Sequence, residues 1–128
     1  MGAAIKKATA VLLVEDEALI SELVSDALLD QGFAVYAVST AEEALRYLES
    51  GAAVDVLFTD INLPGALSGT ELAVRARAMR PDLPIVYASG RYSASELNPL
   101  VPRSVFLAKP YDPIEACTLL GRLAPTAH

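Results

Sequence analysis

Apolar and polar positions alternate along this chain in blocks whose period switches between that of a buried strand and that of a helix. Ala10-Val-Leu-Leu-Val14 is a short continuous apolar run, as expected of a strand buried on both faces. Ala18, Leu19, Leu23, Val24, Ala27 and Leu28 then recur at helical spacing, and Gly32 is a good helix stop. Ala34 to Val38 reads as the second strand. Ser39 and Thr40 stand before Glu42 and Glu43 in capping-box spacing and open a helix with Ala41, Ala44, Leu45 and Leu48 on its apolar face, ended by Gly51. Val54 to Thr59 is the third strand. Ser68 with Glu71 caps a third helix that runs to about Arg80, before Pro81. Pro84 to Ser89 and Ser104 to Ala108 are the fourth and fifth strands. Between them Ser93 to Leu97 holds little more than one helical turn, and Pro99 and Pro102 break any continuation, so a helix here is expected to be short or irregular. Asp112-Pro113-x-Glu115 is a helix start with Asp as cap and Pro at the first helical position, and the last helix extends to about Leu123.

Strands alternating with helices predict an α/β fold, a five-stranded parallel sheet covered on both faces with right-handed crossovers. No repeat, low-complexity tract or Pro/Gly/Ser-rich linker divides the 128 residues, so one domain over 1–128 is expected, with a core of about 10–123 and short tails. The net charge is −6, and no Lys/Arg cluster occurs beyond Lys6-Lys7, which argues against a nucleic-acid partner. The single cysteine, Cys117, lies beside Leu119 and Leu120 and is expected to be a buried, inert thiol in a reducing compartment. Val11 to Val14 is too short for a signal-peptide core or a membrane span, and the reading is a cytoplasmic protein with no membrane partner.

The reactive side chains fall at the carboxyl ends of the expected strands, where open α/β sheets bind their ligands. Glu15 and Asp16 follow the first strand, Asp60 ends the third, Ser89 ends the fourth and Lys109 follows the fifth. In a doubly wound strand order 2-1-3-4-5 these five side chains meet at one place on the rim. Each has a bland reading by itself: Glu15-Asp16 as a helix start, Asp60 as a turn residue before Pro64, Ser89 as a solvated hydroxyl, Lys109 as a surface lysine. Their common placement favours a site. Carboxylates this close repel one another, by roughly 4 kcal/mol for two unit charges 4 Å apart at an effective dielectric of 20. A hard divalent cation relieves that repulsion, and Mg²⁺ (with Mn²⁺ as a substitute) suits few carboxylates, retained waters and phosphate oxygens. Without phosphate, Lys109 can pair with Asp60.

These residues resemble the receiver domain of bacterial two-component response regulators. The resemblance spans about Ala10 to Leu123 and rests on Val11-Leu-Leu-Val-Glu-Asp-Glu17, Thr59-Asp-Ile-Asn-Leu-Pro64, Ala88-Ser-Gly90 and Lys109-Pro110. It implies a flavodoxin-like (βα)₅ three-layer sandwich and a switch rather than a turnover enzyme. It also implies Asp60 as phosphoacceptor, Asp16 as direct Mg²⁺ ligand, Glu15 acting through water, and the Asn62 backbone carbonyl as a further ligand. By the same resemblance Ser89 and Lys109 bind the phosphoryl group, Lys109-Pro110 is cis, and Phe106 is the aromatic that moves with Ser89. Phe106 lacks the hydroxyl of the commoner Tyr, so such a switch rests on packing. Asn62 and Arg91, two residues beyond Asp60 and Ser89, flank the path of the attacking water and are expected to alter phosphoryl lifetime.

The loop Pro64 to Gly69 is one residue longer than in the most familiar receivers and resembles those attached to hybrid sensor kinases, while Tyr87 to Tyr92 loosely resembles a motif of stand-alone alphaproteobacterial receivers. The implied partners are a histidine kinase or histidine phosphotransfer protein and a downstream protein, for a monomer or weak dimer. The rival readings are an interaction module that ignores phosphorylation, a haloacid-dehalogenase-like phosphatase and a flavodoxin-like cofactor binder. The phosphatase wants Asp-x-Asp where this chain has Glu15-Asp16-Glu17, and those same acids would repel a cofactor phosphate.

Overall fold

The computed structural model describes residues 8–90 and 100–124. Chain order is β1 (Ala10–Val14), α1 (Ala18–Asp30), β2 (Ala34–Val38), α2 (Ala41–Glu49), β3 (Val56–Asp60), α3 (Gly69–Met79), β4 (Ile85–Ser89), β5 (Ser104–Ala108) and α4 (Pro113–Leu123). All strand pairs are parallel, in the order β2-β1-β3-β4-β5. This is the expected doubly wound, flavodoxin-like topology. The helical turn expected at Ser93 to Leu97 lies outside the described residues.

The two-residue period of the strands builds two cores. Leu12, Val14, Leu57, Ile85 and Tyr87 face α2 and α3, where they meet Ala44, Leu48, Leu72 and Ala76. Val11, Leu13, Val56, Phe58, Val86 and Ala88 face α1 and α4, against Val24, Leu28, Ala116, Cys117 and Leu120. A strand covered on both sides must be apolar at every position, which is why β1 reads as a continuous run. The edge strand β2 is mostly exposed, and its Tyr36 ring stacks on Tyr47 of α2 with centroids 3.8 Å apart. Cys117 is buried, and burial pushes its thiol pKa up. Among the described residues no helix is long and apolar enough to cross a membrane.

Caps end the helices where the sequence places them. Ser68 and Glu71 form a complete capping box, Thr40 accepts from the Glu43 N–H, and Asp112 accepts from the Ile114 N–H. The expected start of β3 needs correction. Val54 and Asp55 precede the strand because Asp55 is used twice to fasten the sheet's amino end. Its N–H donates to the Ala10 carbonyl at 2.8 Å, and its carboxylate accepts from the Ala10 N–H at 2.8 Å. The same strand ends at Asp60, which pairs with Ala88.

Candidate functional site

Register decides what meets at the rim. Val14 pairs with Val38 and Thr59, Asp60 with Ala88, and Ser89 with Ala108, so the strands that carry Glu15, Asp60, Ser89 and Lys109 all end at the same level. Carboxylate oxygens of Glu15, Asp16 and Asp60 lie within 4.8 Å of one another. Asp16 is exposed, whereas Glu15 and Asp60 are 4% and 8% exposed. Two buried carboxylates at this separation need a counter-charge. Lys109 provides it: its Nζ donates to Glu15 Oε1 at 2.8 Å and to Asp60 Oδ2 at 3.1 Å. The pairing of Lys109 with Asp60 is therefore present, and Glu15 is a second anchor for the same ammonium.

The electrostatics follow from this arrangement. Burial raises the Asp60 carboxyl above its ordinary range, and the Lys109 ammonium together with the Asn62 backbone N–H opposes that rise. Burial works to lower the Lys109 pKa, but its bonds to Glu15 and Asp60 outweigh it and push the ammonium up to about 12. Lys109 is thus a fixed cation at neutral pH. The Tyr111 ring packs on Phe58 with centroids 5.6 Å apart, and burial raises its phenol to about 12, so it stays neutral beside the site.

Backbone bonds hold the carriers still. Glu15 N–H donates to the Val38 carbonyl, Ile61 N–H to Ala88, and Lys109 N–H to Ser89, each at 3.0 Å. Glu15 Oε2 accepts from the Glu17 N–H at 3.1 Å. Ser89 is 1% exposed at the end of β4, two residues from Tyr87 and so on the same sheet face. Phe106 pairs with Tyr87 and packs, partly buried, on the α2/α3 core. Asn62 is exposed next to Asp60, and the Lys109-Pro110 bond is cis, as expected. Arg91 lies outside the described residues.

Sequence reasoning missed Gly69. A Cβ there would stand 2.0 Å from the Asp60 carbonyl oxygen, so only glycine lets the start of α3 press against the backbone of Asp60. Its N–H also donates to the Ile61 carbonyl at 2.8 Å. The signal was a glycine at the first helical position after Ser68, where a better helix former is the ordinary choice. Glu42 was read only as part of a helix start, yet its Oε2 accepts from the Ala66 N–H at 3.2 Å across 24 residues of sequence.

The description "Response regulator receiver domain" fits residues 11–120. The chain belongs to the response regulator receiver family. Its fold is similar to that of the response regulator receiver protein from Sinorhizobium medicae WSM419, with a TM-score of 0.85 and 38% identity over 91% of this chain and 94% of that one. It is also similar to the chemotaxis response regulator CheY4 of Vibrio cholerae, with a TM-score of 0.82 and 27% identity over 91% of this chain and 99% of that one. Among curated proteins, the transcriptional regulatory protein CreB of Escherichia coli K12 is 33% identical over 123 residues, 88% of this chain and 51% of CreB. The receiver spans about half the length, or less, of the curated relatives it matches. An acidic triad of this kind is typical of the metal site of receivers, which are signalling modules of two-component systems and partner histidine kinases.

Proposed function

We propose that this receiver takes a phosphoryl group onto Asp60 from a phosphohistidine on a histidine kinase or histidine phosphotransfer protein, and that the phosphorylated form presents an altered surface to a downstream protein. The observation that carries this reading is Lys109 Nζ held between Glu15 and Asp60 with the Asp16 carboxylate beside them. Lys109 offsets one of the three carboxylates and a divalent cation would offset the other two, which leaves the set able to take a dianionic phosphoryl group.

The donor set fits Mg²⁺: three carboxylates within reach of one point, one of them exposed enough to keep water on the ion. Asp16, Asp60 and the Asn62 carbonyl would hold it, with Glu15 acting through water. Bound there, the ion supplies positive charge to a phosphoryl oxygen. Every other role belongs to the chain. An Asp60 carboxylate oxygen attacks phosphorus in line, the P–N bond to the donor histidine breaks, and its electron pair stays on the imidazole nitrogen. Lys109 neutralises a second phosphoryl oxygen and the Ser89 hydroxyl donates to the third. Water later attacks the acyl phosphate, releasing inorganic phosphate and restoring the Asp60 carboxylate.

Transfer exchanges a carboxylate for a dianionic group, about −2 at neutral pH. Ser89 and Lys109 are drawn toward it, and Ser89 shares a sheet face with Tyr87 and Phe106, so the change passes into the α2/α3 core by packing. A protein donor needs apolar ground beside the rim. A groove of about 470 Å³ between α1 and the start of α4, lined by Ile20, Leu23, Val24, Pro110 and Tyr111, adjoins Lys109. Leu23 in this groove is 54% exposed, and Leu19 on the same helix is 70% exposed.

Intact-mass spectrometry after incubation with acetyl phosphate and Mg²⁺ tests the proposal. One added phosphoryl group is expected in the wild type, none in Asp60→Asn, and none in the wild type when EDTA is present. Equal labelling of Asp60→Asn would remove the proposal.

A further inference from the structure

The loop from Asp60 to Gly69 carries Asn62, and its two ends are pinched together. Ile61 N–H donates to Ala88 at 3.0 Å, and Gly69 N–H returns to the Ile61 carbonyl at 2.8 Å. The capping box of Ser68 with Glu71 then sets the direction in which the loop enters α3. The residues between form a closed bow whose shape depends on what holds its apex, Gly65 and Ala66.

Glu42 does so from another element. It sits in the first turn of α2, and its Oε2 accepts from the Ala66 N–H at 3.2 Å. Gly65 has φ of +96°, and a Cβ built there would come within 3.1 Å of Glu42 Oε1 and 3.3 Å of Oε2. The carboxylate therefore lies directly against the Gly65 backbone, on the side where a side chain would have been. Its Oε1 is shielded from solvent and takes no hydrogen bond among the described residues. A group that loses water on one oxygen in order to bond through the other carries a desolvation cost. What offsets that cost here is a fixed loop.

We infer that Glu42 is a positioning residue for the metal side of the site: by bracing Gly65 and Ala66 it fixes the bow and so the direction of the Asn62 carbonyl. This rests on the reading of Asn62 as a ligand given above. Glu42 touches no ligand, so it acts through the loop. Its removal lets the apex swing, and the Asn62 carbonyl then spends less time aimed at a cation. Direct partners of metal ligands change affinity by about 10–100-fold. One step further out, a loss of about three- to tenfold is the scale expected.

The experiment is Mg²⁺ titration of the full chain, read by amide chemical shifts, with no phosphodonor present. Glu42→Ala is expected to weaken Mg²⁺ binding about three- to tenfold. Glu42→Gln keeps an acceptor for the Ala66 N–H and is expected to stay within about twofold of the wild type. The half-saturating Mg²⁺ for labelling by acetyl phosphate should move by the same factor. Gly65→Ala, strained at positive φ and pressed onto the carboxylate, reaches the same loop from its other side and should weaken binding comparably, should Glu42→Ala fail to fold. Wild-type affinity in a folded Glu42→Ala overturns the inference alone. So does an equal loss in Glu42→Gln and Glu42→Ala, which would assign the effect to charge rather than to the brace. A wild type that binds no Mg²⁺ overturns this inference and the proposed function together.

Discussion

Asp60 and Lys109 carry the costs of this site, and those costs are measurable. Burial holds the Asp60 carboxyl above its ordinary value of 3.8, so the folded chain binds that proton more tightly than the unfolded one. A carboxyl shifted in this direction lowers stability as pH rises from its ordinary value to its folded pKa, and the loss is complete above that. Asp60→Asn, in EDTA, is therefore expected to raise the thermal midpoint at pH 7 by about 2–5 °C, with the gain shrinking toward pH 4, by calorimetry. Lys109 has the opposite sign. Its pKa rises from 10.5 to about 12, so its contribution is complete below 10.5 and fades only as pH climbs to about 12. Lys109→Ala leaves Glu15 and Asp60 buried without their cation and is expected to cost about 2–4 kcal/mol in urea unfolding at pH 7. Acidifying the solution should recover part of that loss, because protonation then removes the repulsion. Glu15, Asp16, Asp60 and Lys109 were legible in the sequence as neighbours because each follows or ends an apolar strand. Gly69 and Glu42 were not, because their purpose is contact with a backbone far away in sequence, and no local pattern marks a missing Cβ or a long-range brace.

At the scale of elements, period and caps placed the strands and helices to within one or two residues. The exceptions have identifiable causes. Val54-Asp55 reads as strand by its apolar neighbours, but the Asp55 carboxylate takes the Ala10 N–H and diverts it. Arg77 stands in the last turn of α3. Its guanidinium donates to the carbonyls of Leu83 at 3.0 Å, Pro102 at 2.6 Å and Arg103 at 3.2 Å, and so ties the approach to β5 to α3 and β4. Beneath it the buried Tyr87 phenol oxygen has the Val101 backbone N–H and the Ser104 side chain as partners, which oppose the upward push of burial on its pKa. Ser104 in turn donates to Val101 at 2.6 Å. These bonds fix the strand that bears Phe106. Arg77→Ala is expected to speed amide exchange at Val105 and Phe106 by about tenfold while leaving β1 unchanged, since losing charged donors to several carbonyls removes on the order of 1–3 kcal/mol locally. Equal exchange in both proteins would show that packing alone holds this strand.

For the whole molecule, a net charge of −6 and a rim that gathers three carboxylates make cation binding a stabilising event. An ion that binds only the folded chain stabilises it by about 2.7 kcal/mol at a concentration 100 times its dissociation constant. Mg²⁺ is thus expected to raise the thermal midpoint in a saturable way, and Asp16→Asn to abolish most of that rise. A non-saturable rise equal in both proteins would be general screening. Membership of the receiver family defines the module and not its pathway, since the relatives it resembles range from a transcriptional regulator to a chemotaxis protein. The proposed reaction comes down to one atom pair, the bond from Asp60 to phosphorus. The most direct measurement is borohydride reduction of the phosphorylated chain followed by peptide mapping, because reduction converts an aspartyl phosphate to homoserine and marks its position permanently. Homoserine is expected at position 60, in the tryptic peptide Tyr47–Arg75. Reduction at Asp16 or Glu15 instead, or a phosphorylated chain with no reduced residue at position 60, would contradict the proposed reaction.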